Sequence, residues 1–201
     1  MLNTDNSPGL KKVDLVRAQL EDSAAVIAGL CDKAEQIDEA ATALASVLCA
    51  GNKVLTAGNG GSAAEAMHLS EELVGKFRSV RKALPAVCLC SDCTALTCIA
   101  NDFSYEEVFS RQVEALGRKG DLLVAISTSG NSPNVVRAVD AARAKGLSVL
   151  CLLGRDGGSL AGRGDFEIIT SAGETERIQE SHQVLIHIFL DRIERVLSED
   201  E

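Results

Sequence analysis

Aromatic residues are scarce in this chain: 3% of the composition, with no tryptophan and a single tyrosine. Its core must therefore be assembled from Val, Ile, Leu and Ala. Long apolar runs are also missing. The longest, such as Leu122–Ile126 and Leu147–Leu153, fall far short of the roughly 20 residues a bilayer-spanning helix needs. The opening MLNTDNSPGLKK has no apolar stretch after its charges, so it does not read as a secretory signal. No basic cluster is present and the net charge is −9, which argues against broad binding to nucleic-acid phosphates. A small anionic ligand stays open, because local amide dipoles bind anions whatever the net charge. Only three histidines occur, so any imidazole chemistry has few carriers.

Cysteine, by contrast, is well represented: Cys31, Cys49, Cys88, Cys90, Cys93, Cys98 and Cys151. An odd count without a secretory signal points to reduced thiols and a cytoplasmic protein. Cys90-x-x-Cys93 has the spacing of a redox or zinc pair. No second such pair exists to complete a four-cysteine site, however, and Cys88 and Cys90 lie in the strand-like run AVCLC, where free Cys packs as a small hydrophobe. The length of 201 residues fits one domain.

Residues 10–50 read as two helices, with Leu15, Leu20, Val26, Ile27 and Leu30, then Ile37, Ala41, Leu44, Val47 and Leu48, at helical spacing. Beyond Gly51-Asn52 the pattern changes to short apolar runs alternating with amphipathic stretches. Strands are predicted at Lys53–Ala57, Ala86–Cys90, Leu122–Ile126, Ser148–Leu153 and Phe166–Ile169, and helices at about 62–77, 93–100, 105–117, 132–145 and 174–198. Such alternation implies an α/β domain whose parallel sheet is covered on both faces. The predicted organisation is a flexible arm over 1–9, a helix pair over 10–50 and an α/β core over 51–201, with an acidic end (SEDE) expected to fray. Open parallel sheets bind ligands beyond the carboxyl ends of their strands, which directs attention to the loops that follow each strand.

Three constellations stand out. The first is Gly58-Asn59-Gly60-Gly61-Ser62, between a strand and a helix. Its glycines permit close approach of a ligand to backbone amides, and the helix offers its positive end. Ser62 to Glu65 also has capping-box spacing. Gly58-x-Gly60-x-x-Ala63 fits a dinucleotide fingerprint, but the acidic residue that fingerprint wants about 20 residues on is absent; Asp92 comes too late. The second is Ser127-Thr128-Ser129-Gly130-Asn131-Ser132-Pro133, where hydroxyls and free helical amides can cradle a phosphate without lysine; Ser132 can cap the next helix, with Pro133 in its first position. The third spans two helices. His68 and Glu72 share one helical face, and Gln179, Gln183 and His187 form a stripe on the last helix from which His182 departs. His, Glu and Gln side chains together suit zinc, although a solvated His68–Glu72 pair and a core-buried His187 are the plainer alternatives. Gln179 and His187 would lie about 12 Å apart along an ideal helix.

The segments AGNGGSAAEAMHLSEEL, IANDF, ISTSGNS, GRDGG and RIQESH…IHI resemble the sugar isomerase (SIS) domain and, within it, the sedoheptulose-7-phosphate isomerase (phosphoheptose isomerase) family. The resemblance covers almost the whole chain. It implies a three-layer, flavodoxin-like SIS sandwich and aldose–ketose isomerisation of sedoheptulose 7-phosphate to D-glycero-D-manno-heptose 7-phosphate, supplying heptose for lipopolysaccharide. The substrate contacts it implies are Asn59, Gly60, Gly61, Ser62, Asn101, Asp102, Ser127, Thr128, Ser129, Ser132 and Gln179. Its zinc ligands match His68, Glu72, Gln179 and His187, and its catalytic pair matches Glu72 and His187, acting as base and acid. A homotetramer with active sites at subunit interfaces is implied as well. One departure is that Glu174 or Glu176 must replace an Asp some members carry before RIQE. A tetrameric, non-catalytic relative, the DnaA initiator-associating protein, shares the glycine and serine loops; this chain keeps the Glu and His of the catalytic pair, which favours an enzyme.

Overall fold

The computed structural model describes residues 12–199, so the expected arm over 1–9 and the last two residues of SEDE lie outside the described residues. Two helices open the chain, α1 (Lys12–Ala28) and α2 (Ala34–Cys49), joined by a single 3₁₀ turn. Then come β1 (Val54–Gly58), α3 (Gly61–Val74), β2 (Ala86–Cys88), α4 (Cys93–Asp102), α5 (Ser110–Leu116), β3 (Leu122–Ser127), α6 (Pro133–Ala144), β4 (Ser148–Gly154), β5 (Phe166–Thr170) and α7 (Thr175–Glu199). The five strands form one sheet in the order β2-β1-β3-β4-β5, every pair parallel. This is the flavodoxin-like order, and the expected α/β sandwich with an N-terminal helix pair is the architecture observed.

Strands covered on both faces need apolar side chains at every position, and β1 and β3 are buried throughout. Alternate residues feed two cores. Val54, Leu122, Val124, Ile126, Leu150 and Leu152 pack under α2, α3 and α7, while Leu55, Ala57, Leu123, Ala125, Val149 and Leu153 pack under α5 and α6. Leu and Val fill the volume that aromatics leave.

Three predicted elements are shorter than expected. The stretch 105–117 is not one helix: a 3₁₀ turn at Tyr105–Glu107 precedes α5, and the bend buries Val108 and Phe109 against the sheet. Helix 62–77 stops at Val74, where the Arg81 guanidinium donates to the carbonyls of Glu72 (2.7 Å) and Leu73 (3.0 Å) and closes the helix end. Strand β2 ends at Cys88 because its carbonyl is drawn into a turn, accepting from the Ser91 amide and hydroxyl.

Candidate functional site

The loops after β1, β3 and β4 meet at the carboxyl edge of the sheet. After β1, Gly60 adopts φ +57° and is itself the N-cap of α3. The expected capping box at Ser62 does not form: Ser62 sits buried inside the helix, and Glu65 turns instead toward α7. Asn59 faces Asn134 of α6 in a reciprocal amide pair, each Nδ2 donating to the other's Oδ1 at 2.8 and 2.9 Å. Asn59 Oδ1 also accepts from the Tyr105 hydroxyl at 3.0 Å. The Asn59 side chain thus fastens the glycine loop to α6 and to the segment after α4.

In the loop after β3, Ser127 Oγ accepts from the Gly130 amide (3.1 Å) and lies 3.3 Å from Ser132 Oγ. Ser132 holds the N-cap position of α6 with Pro133 next, but its hydroxyl caps no amide. Gly130 has φ +63°, and a Cβ there would come within 1.9 Å of the Gly157 carbonyl oxygen. The loop after β4 is therefore pressed directly onto the hydroxyl loop, and Asn131 accepts from the Ser159 amide at 2.9 Å to hold it there. Asn101 and Asp102 end α4 as an exposed pair, with the Asn101 amide donating to Asp102 at 2.7 Å. At the end of β2, the Cys90 thiol donates to the Gly58 carbonyl; the adjoining Cys88 thiol, and then burial, raise the Cys90 pKa and keep that hydrogen in place. Cys93 is exposed at the start of α4.

Helices α3 and α7 run alongside each other in the same direction, and their contacts climb in step. The Gln179 amide rests against Gly61 so closely that a Cβ there would lie 2.0 Å from it. Glu65 approaches His182. His68 Nδ1 lies 2.6 Å from Gln183 Nε2, which also lies 3.2 Å from His187 Nε2. Arg81 and Glu194 pair beyond the end of α3. At the third of these levels, His68 Nε2 is 3.5 Å from Glu72 Oε1, and the His68 and His187 rings meet edge to face at 5.3 Å. Phe77 stacks on the far side of His187 at 5.8 Å.

His68 thus bridges two helices, contacting Glu72 on α3 and the His187 ring on α7. The cluster is at the surface: His187 is exposed and Glu72 half-buried. The core-histidine alternative belongs to another residue, since His182 is the fully buried ring of α7. Gln179 sits apart from this cluster, at the glycine loop, and Gln183 fills the space between the two imidazoles. Sequence reasoning placed Gln183 on the correct stripe but gave it no role. Donor atoms of His68, Glu71 and Glu72 all lie within 4.8 Å of one another. That geometry, with a second imidazole alongside, fits a cation that accepts nitrogen and oxygen ligands.

Comparison with known proteins adds independent findings. The SIS domain family model matches residues 20–154. A phosphoheptose isomerase of Yersinia enterocolitica is 47% identical over 186 residues, covering 90% of this chain and 96% of that protein. Among solved structures, a phosphoheptose isomerase from Neisseria gonorrhoeae superposes with a TM-score of 0.87 at 41% identity, over 92% of this chain and all of that one. One from Francisella tularensis gives 0.89 at 32% identity with the same coverage.

Proposed function

Because the chain belongs to the phosphoheptose isomerase family of SIS-domain proteins, we propose that it interconverts the ketose sedoheptulose 7-phosphate and the aldose D-glycero-D-manno-heptose 7-phosphate. The observation that supports this reading is His68 touching Glu72 on its own helix and the His187 ring of α7, about 10 Å along α3 from Gly61 at the ideal helical rise. A carboxylate and an imidazole facing one space are what a proton-transfer isomerisation requires. Glu72 takes the proton from C1 while His187 gives one to the carbonyl oxygen on C2, leaving an enediol. His187 then accepts the hydroxyl proton from O1, and Glu72 returns its proton to C2 as the C1 carbonyl forms. The hydroxyls of Ser127, Thr128, Ser129 and Ser132, with the amides opening α3 and α6, hold the phosphate and so orient the reacting carbons through remote binding energy. Asn101, Asp102 and Gln179 would contact the sugar chain.

Zinc, one per subunit, is part of the proposal. His68, Glu72 and His187 would hold it; Gln179, the fourth donor the resemblance implies, lies instead against Gly61, and the amide beside the two imidazoles is that of Gln183. When bound it supplies a Lewis acid at the sugar oxygens. We also infer a cytoplasmic homotetramer with its sites at subunit interfaces. Apolar side chains around the cluster support this: Met67, Val74 and Ile188 are 42%, 50% and 39% exposed, and α1 leaves Val13, Val16 and Leu20 open. Among the described residues no helix is long and apolar enough to cross a membrane.

The test is incubation of the protein with sedoheptulose 7-phosphate, with and without a chelator, following the aldose product. Glu72→Gln is expected to retain the fold and lose at least about 10²-fold in kcat. Near-normal turnover by that variant rules out Glu72 as base. No product from the unmodified protein under either condition favours a non-catalytic regulator.

A further inference from the structure

Between the glycine loop and the Glu72–His187 cluster, α3 and α7 share a buried polar pair that the proposed reaction does not use. His182 is completely buried and Glu65 is 6% exposed. His182 Nε2 lies 3.2 Å from the Leu153 carbonyl oxygen. A carbonyl only accepts, so Nε2 must carry a hydrogen. The other ring nitrogen, Nδ1, faces Glu65 Oε2 at 3.6 Å, and neither atom has another hydrogen-bond partner. An ionised carboxylate and an unprotonated ring nitrogen are both acceptors. Two acceptors turned toward each other in a dry interior repel, and at 3.6 Å neither is satisfied; a hydrogen on either one turns the approach into an attraction that satisfies both.

We propose that Glu65 and His182 share one buried proton, and that the resulting clasp is a positioning device for the catalytic cluster. It joins three elements: α3 through Glu65, α7 through His182, and the end of β4 through Leu153, one residue before Gly154. Glu65 stands one helical turn before His68 and two before Glu72; His182 stands between Gln179 and His187. Apolar packing tolerates sliding of one helix along another, whereas a directional bond between two buried polar groups has one satisfied arrangement. The clasp therefore sets the register of α3 against α7, which decides whether the His68–Glu72 pair lies beside the His187 ring. Its kinetic consequence rests on the isomerase reading; the shared proton does not.

The experiment uses the full chain. In the unmodified protein, side-chain nitrogen NMR should show His182 with hydrogen on Nε2 and with Nδ1 protonated or hydrogen-bonded. A free, unbonded Nδ1 overturns the clasp, whether or not the protein proves to be an isomerase. Glu65→Gln supplies an amide hydrogen to Nδ1 and is expected to keep most of the kcat. Glu65→Leu fills similar volume without a donor; misplacement by about 1 Å lowers rates on the order of 10²-fold, a loss expected in kcat with KM unchanged because the phosphate loops are untouched. Equal kcat for Glu65→Leu and the parent, or a matching rise in KM, refutes positioning. Should Glu65→Leu fail to fold, the nitrogen spectrum and the activity of Glu65→Gln remain decisive, and loss of kcat in folded Glu65→Gln also refutes it. Absence of isomerase activity in the unmodified protein refutes the isomerase reading and leaves the spectrum to judge the proton.

Discussion

Removing the Glu194 carboxylate is expected to cost more stability than any other single surface-distant charge change on α7. Glu194 accepts hydrogen bonds from the amides of Phe77, Arg78 and Ser79 at 3.0–3.3 Å and from Arg81 Nε at 3.2 Å. The Arg81 and Glu194 side chains are only 8% and 7% exposed. Glu194→Ala would leave the buried Arg81 charge without its carboxylate and three amide hydrogens without their acceptor. Breaking a buried pair by deleting one partner costs about 3–5 kcal/mol. For a domain of this size each kcal/mol lowers Tm by roughly 2–4 °C, so the expected fall is about 6–20 °C. Burial raises the Glu194 pKa, but the Ser79, Arg78 and Phe77 amides, and then the Arg81 charge, outweigh it and hold the carboxyl below its ordinary 4.5. A depressed folded-state value contributes stability above the unfolded value, lost as pH falls through the folded one. The Tm gap between parent and variant should therefore be full above about pH 5 and narrow in acid. Thermal melts by circular dichroism from pH 3 to 8 would measure it. A gap under about 2 °C at pH 7, or one that widens on acidification, refutes the reasoning.

Two further expectations concern the loops and thiols. Gly130→Ala places a Cβ on the Gly157 carbonyl at positive φ, and should lower stability by more than about 1 kcal/mol in urea titration while weakening sugar-phosphate binding. Cys151 has its pKa pushed up to about 12 by burial and then by Glu167 and Asp165; iodoacetamide at pH 8 should spare it and label exposed Cys31 and Cys93, as peptide mass mapping would show.

The layer order was legible because the strands announce themselves as short, largely apolar runs, broken only by residues such as Thr56 and Glu167, and each helix through its period. Where the prediction overran, the missing information was tertiary. Nothing local in 62–77 tells that Arg81, seven residues beyond Val74, folds back to close the helix under the pull of a carboxylate 113 residues further on. Nothing in YEEVF tells that Val108 and Phe109 must turn inward while the Tyr105 hydroxyl reaches Asn59.

The site shows the same division more sharply. A stripe at i, i+4 on one helix is visible in sequence, and it brought out His68 with Glu72 and Gln179 with His187. The stripe also made His182 look irrelevant, since it departs from that face by one residue. Yet a helix packed between a sheet and a parallel neighbour has two meaningful faces. The exposed one carries the proposed site residues; the buried one fixes where they sit. His182 at three residues from Gln179, and Glu65 at three from His68, both belong to the second face. A buried imidazole opposite a buried carboxylate can only be paired with knowledge of which helix lies alongside and in which direction. Parallel α3 and α7 make the pairing ascend in register, 61 with 179, 65 with 182, 68 with 183 and 187. Antiparallel packing would reverse that order and carry His68 away from His187, so the direction of approach decides whether the two polar stripes meet at all.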